Sequence, residues 1–91
     1  MAYVSDCDGF TVADGTGHID GSTLNAPRTK TAQGLEMNAV GWGTITAEGT
    51  DGSVVVQKVT GYEDADNSEP ATFQRINIFD GNGYSDWIKI G

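Results

Sequence analysis

Asp80-Gly81-Asn82-Gly83, set between two runs rich in Ile, Phe, Tyr and Trp, constrains this chain more than any other stretch. Aromatic and β-branched side chains suit a pleated surface, and Asn-Gly accepts the positive φ angles of a tight type I′ turn. The pattern predicts a β-hairpin of Phe73–Phe79 and Tyr84–Ile90. With Asn82-Gly83 as the turn, Ile78 pairs with Trp87 and Asn77 with Ile88. With all of Asp80–Gly83 as loop, Ile76 faces Trp87. Side chains alternate with period two, so both registers place Gln74, Ile76, Ile78, Ser85, Trp87 and Lys89 on one face. The other face takes Phe73, Arg75, Asn77, Phe79, Tyr84, Asp86, Ile88 and Ile90. Both faces are substantially apolar, whereas a hairpin covering a small core keeps one side polar. The hairpin is therefore expected inside a sandwich or against another chain.

Leu35–Ala47 is a second strand region, in which Trp42 stands between Gly41 and Gly43. Glycine inside a strand marks a bulge or a close backbone approach. Thr44–Ala47 and Ser53–Val59 are predicted to pair as a second hairpin around Glu48-Gly49-Thr50-Asp51-Gly52. The unbroken Val54–Val56 run predicts cover on both faces there. Gly61–Thr72 is acidic and longer than a hairpin turn needs, which predicts a crossover between two sheets. In residues 1–34 only Tyr3-Val4 and Phe10–Val12 resemble strands. Asp-Gly pairs begin at Asp8, Asp14 and Asp20, a six-residue spacing that invites comparison with a β-helix repeat. The intervening residues do not match, and the pairs read as turns. Nothing shows sustained helical periodicity, which leaves room only for short helical turns near Ala32–Glu36 or Glu63–Asn67. The expected fold is all-β, a small antiparallel β-sandwich or barrel built from hairpins. It forms one domain, with an irregular Gly/Asp/Thr-rich arm (residues 1–34) packed on a β core (residues 35–91).

A chain of 91 residues with 13 glycines has little core to offset the entropy of ordering. Its single cysteine, Cys7, allows no internal disulfide, which leaves support from a metal or a partner subunit, or simply a modestly stable monomer. Five basic residues against 13 acidic ones leave a net charge of −8. Such a surface repels phosphate backbones and anionic lipids, which argues against nucleic acid and membrane as partners. No apolar stretch approaches the roughly 18 residues of a membrane span, and no basic, apolar leader is visible. A chain used without secretory processing, in a virion or a cytoplasmic assembly, is expected.

Catalytic chemistry finds few candidates. Cys7 and His18 could form an activated nucleophile, but Asp6 and Asp8 would raise the thiol pKa. One Cys and one His fall short of a zinc site. A glycosidase needs two carboxyls across a sugar-gripping cleft, which a core this small does not provide. Gly15-Thr16-Gly17 lacks the helix and lysine of a phosphate loop. Calcium has the best case, with Asp80, Asn82 and Asp86 offering oxygens in a glycine-bent loop. Turn chemistry alone explains those residues, however. The Glu63, Asp64, Asp66, Glu69 cluster and the Asp6, Asp8 pair read as solvated acids. The expectation is no enzyme and no cofactor.

What remains is contact. The richer aromatic face is expected to be the core, with Trp42, Met37 and Val54–Val56 as its complementary layer. Ile76, Ile78 and Trp87 are then the expected interface, with Trp87 as anchor. Arg28 and Lys30 read as a solvated loop, or else as a tether toward an acidic surface such as another copy. The expected function is a non-enzymatic structural subunit of a larger assembly, such as a phage capsid decoration or minor shell protein, forming a homo-oligomer or binding a shell protein. Two alternatives stand beside it. One is a carbohydrate-binding module using Asn77, Tyr84, Asp86 and Trp87, although Tyr84 and Trp87 fall on opposite predicted faces. The other is an acidic inhibitor or mimic that binds a basic partner.

Overall fold

The computed structural model describes residues 2–50, 53–63, 69–78 and 83–91. Among the described residues eight strands form: β1 (Ala2–Tyr3), β2 (Thr16–Asp20), β3 (Arg28–Lys30), β4 (Glu36–Asn38), β5 (Val40–Gly49), β6 (Val54–Glu63), β7 (Glu69–Ile78) and β8 (Ile88–Lys89). Short 3-10 turns at Cys7–Gly9 and Val12–Asp14 are the only helical elements among the described residues. The fold is all-β, as expected. No helix among the described residues is long and apolar enough to cross a membrane.

Six strands make one sheet in the order β1-β2-β5-β6-β7-β8, and β3 pairs with β4 in a separate two-stranded sheet. The large sheet is mixed, because β1 runs parallel to β2 while its other pairs are antiparallel. Its described strands end at β1 and β8 instead of closing into a barrel. The centre is a meander of three ten-residue strands, β5, β6 and β7. The predicted hairpin at Thr44–Ala47 and Ser53–Val59 is present within β5 and β6, with Thr46 opposite Lys58. Its turn depends on Gly49, whose φ of 119° suits glycine. A Cβ there would collide with Val54 O.

Gly61–Thr72 does not cross between sheets. β6 continues to Glu63 and β7 starts at Glu69, and the two pair throughout, from Val54 opposite Ile78 to Glu63 opposite Glu69. Polar and acidic composition suggested a loop, but cross-strand pairing overrides such propensity. The N-terminal region is likewise more regular than expected. β2 lies inside the sheet, with Gly17 opposite Ile45 and Ile19 opposite Gly43. Phe10–Val12 is no strand; Phe10 enters the core and Val12 begins a 3-10 turn. The three Asp-Gly pairs serve as turns after Asp6, Thr11 and β2.

One face of the sheet is buried. Ile19, Ile45, Val55, Val59, Ala71 and Phe73 point into a single core, closed from above by Cys7, Phe10, Ala26 and Ala39. The opposite, outer face is open. Val54 is exposed and Val56 half-buried, so the valine run is covered only at Val55. Alternation along β6 explains this, since only every second side chain can reach the core.

Candidate functional site

The C-terminal strand re-enters the sheet in a register different from either sequence expectation. Phe73 lies opposite Lys89 and Gln74 opposite Ile88. This is an odd offset from both anticipated pairings, and an odd offset exchanges the two faces of a strand. Trp87 therefore joins Arg75 above the core, while Ile88 joins Ile76 on the outside. Three hydrogen bonds, one of them to a distant part of the chain, hold the shift. Ser85 N donates to Ile76 O (2.8 Å), Ile76 N donates to Ser85 Oγ (3.0 Å), and Trp87 Nε1 donates to Asn25 O (2.9 Å). Trp87 thus leaves the expected Ile76–Ile78–Trp87 face and packs against the core.

Arg75 is the centre of the buried network that results. It is only 6% exposed. Its Cζ lies 4.0 Å from the Tyr84 ring centroid and 4.6 Å from that of Trp87. Nε donates to Gln57 Oε1 (2.8 Å) and Nη2 to Asp8 Oδ1 (2.9 Å). Gln57, fully buried, donates onward through Nε2 to Cys7 O (2.7 Å) and Phe10 O (2.9 Å). A guanidinium with paired donors and two ring faces can be buried without an orphaned charge. The network ties the N-terminal turns to β6 and β7, the task a disulfide would otherwise perform. Arg75 and Asp86 share a predicted face, but the carboxylate that pairs with Arg75 is that of Asp8. Tyr84 and Trp87, assigned to opposite faces by the sequence, flank one guanidinium because residues 83–87 are not a regular strand.

The outer face carries two further features. At one corner Val54 lies opposite Ile78, Val56 opposite Ile76 and Gln74 opposite Ile88. These five aliphatic side chains form one patch, with Ile78 53% and Ile88 59% exposed. Beside it is a hollow of about 480 Å³ lined by Thr46, Glu48, Val54, Val56, Lys58 and Gln74, among others.

At the other end lies an aromatic group that the sequence reading placed in the core. Trp42 is 59% exposed. The register of β5 on β6 shifts between Val40 and Gly43, a β-bulge that turns Trp42 outward. Two glycines permit it: a Cβ on Gly61 would sit 2.6 Å from Trp42 O, and one on Gly43 would sit 2.7 Å from Val40 Cγ1. The His18 ring lies 4.0 Å from that of Trp42, tilted by 53°, and 5.8 Å from that of Tyr3, tilted by 58°. His18 Nδ1–H donates to Gly43 O (3.3 Å). Asp20 lies opposite Trp42 and its Oδ1 accepts from Tyr3 Oη (3.1 Å) and Ser22 N (2.9 Å). Gly-Trp-Gly was the available signal for the bulge, but it did not say which way the ring would point.

The other sequence candidates are dispersed. Arg28 Nη1 donates to Asn38 Oδ1 (2.7 Å), and Asn38 Nδ2 donates to Asp20 O and Thr23 O. Arg28 and Lys30 are exposed on β3, and Arg28 lines a cleft with Asp86 and Trp87 instead of approaching Ile76 and Ile78. Of the calcium candidates, Asp80 and Asn82 lie outside the described residues, as do Asp64, Asp66 and Phe79; Asp86 is exposed. Among the described residues no three His, Cys, Asp or Glu side chains converge as metal ligands. Asp6 holds its carboxyl below the usual range by accepting from Asn25 Nδ2 (2.8 Å) and Asp8 N (2.9 Å). Burial pushes the Cys7 thiol up to about 12, and Cys7 faces the core while His18 stands on the outer face. The chain matches no protein-family model, no curated protein and no solved structure.

Proposed function

We propose that this chain is a non-enzymatic structural subunit of a larger assembly, in the form of a small phage virion protein such as a capsid decoration or minor shell protein. The observation that supports it most is the outer-face patch of Val54, Val56, Ile76, Ile78 and Ile88. Contiguous apolar surface on a small acidic domain is costly in water and marks a site of contact. Its partners are copies of the same chain or a shell protein. In this reading Ile76 and Ile78 belong to the interface, with Ile88 in the place expected for Trp87. The protonated thiol at Cys7, on the far side of the sheet from His18, favours contact over catalysis.

The carbohydrate alternative draws less support from its own residues. Tyr84 and Trp87 each turn a ring face to Arg75, leaving less aromatic surface for a sugar.

Sedimentation velocity at micromolar concentration tests the proposal. The wild type should sediment as a symmetric oligomer, or co-sediment with a shell protein. Ile78→Asp should be monomeric with an unchanged β signature by circular dichroism. A wild type that stays monomeric, binds no shell protein and is indifferent to Ile78→Asp would remove the basis for the reading.

A further inference from the structure

We infer that the Trp42 corner is a docking site for an arginine side chain presented by a basic segment of a partner protein. This names the chemistry of a partner and rests on the contact role proposed above.

The molecule contains its own precedent. Arg75 is held by two aromatic rings and one carboxylate: Tyr84, Trp87 and Asp8. The outer face assembles the same kinds of group, Tyr3, His18 and Trp42 with Asp20, around no guanidinium. Indole offers the best π-face for a cation. The Asp20 carboxylate accepts both Tyr3 Oη and Ser22 N at Oδ1, which leaves Oδ2 for an incoming group. That oxygen is the one an incoming guanidinium would meet.

Charge decides the class of occupant. The chain has a net charge of −8, and its few cations are placed elsewhere. Arg75 is buried on Asp8, while Arg28 and Lys30 lie on the small sheet. Arg28 reaches the Asp20 backbone only through Asn38, and Lys58 lies opposite Thr46, four residues or about 13 Å along β5 from Trp42. A basic segment is therefore attracted to this corner. Geometry argues against a sugar. The three rings are tilted by 53° and 58° and form a corner, not the flat plane a pyranose ring would cover. A planar guanidinium can stack on one ring and still direct its N–H groups to a carboxylate. The device is costly to the fold, since it places glycines at Gly43 and Gly61 inside strands and leaves a tryptophan in water.

Hexa-arginine and hexa-lysine peptides are the probes, titrated against ¹⁵N-labelled protein at 150 mM NaCl, with cellohexaose as the neutral control. The chain has two tryptophans, so the indole N–H signals of Trp42 and Trp87 serve as site and internal control. Hexa-arginine should move the Trp42 signal, leave that of Trp87 in place, and bind more tightly than hexa-lysine. Trp42→Ala should weaken binding roughly five-fold, and Asp20→Asn, which retains the bond to Ser22 N, about three-fold. Should Trp42→Ala fail to fold, Asp20→Asn decides the matter alone. Ile78→Asp should bind the peptide as wild type does, so loss of assembly and loss of this site are separate results. Equal binding of the two peptides with no effect of either variant would reduce the interaction to the general acidic field and overturn the proposal. A Trp42 shift with cellohexaose and none with hexa-arginine would overturn it in favour of a sugar site.

Discussion

The clusters around Arg75 and Trp42 are built from similar side chains and end in opposite states. Around Arg75, Tyr84 and Trp87 supply ring faces, Asp8 supplies charge and Gln57 an amide oxygen, all above the core. Around Trp42, Tyr3, His18 and Asp20 offer a comparable set to solvent. The difference lies in what each side of the sheet requires. A guanidinium beneath the N-terminal turns must have its donors satisfied, because an orphaned charge in low dielectric is prohibitive. On the outer face water satisfies everything, so the same residue types can be left incomplete. The inner cluster therefore supports the fold, and the outer one is free to serve contact.

That contrast can be broken most directly at Arg75. Arg75→Ala removes both ring contacts and leaves Gln57 Oε1 buried without its donor. A loss of about 3 kcal/mol is expected in urea unfolding. A loss below about 1 kcal/mol would mean that the network is ornamental, since ordinary surface changes reach about half that size.

The paired tryptophans sharpen the comparison. Trp87→Ala should cost about 2–3 kcal/mol, at the low end for a core aromatic because the ring is only half-buried. Trp42→Ala should stay within about 0.5 kcal/mol of wild type. Similar losses in the two variants would show that both rings do the same structural work.

An effect confined to high pH concerns Cys7, beneath the Arg75 network. Its thiol is raised from the usual 9.0 to about 12 by burial, so the unfolded chain ionises first as pH rises. The neutral thiol's contribution is complete below pH 9 and is lost as pH climbs from there toward 12. Wild type should therefore lose stability more steeply over that window than Cys7→Ala. Parallel curves for the two proteins would contradict the burial account.

Much of the architecture is legible in local sequence. Period-two alternation, the valine run and the Gly49 turn lead to the β5–β6 hairpin, because a turn and its two strands are specified by adjacent residues. Gly41-Trp42-Gly43 announced a bulge for the same reason. The faces of the C-terminal strand were a different matter. Whether Trp87 or Ile88 meets the core depends on an offset of one residue, and that offset is set by distant bonds. Trp87 donates to Asn25, 62 residues away, and Arg75 meets Asp8, 67 residues away. No local pattern encodes such a pairing. The direction of Trp42 was decided in the same manner, by the approach of Gly61 on the next strand and of His18 on the previous one. Residue types and turn chemistry thus settled that this chain is built of β-strands. Only three-dimensional packing could decide which of its aromatic rings would enclose a charge of its own and which would be left open.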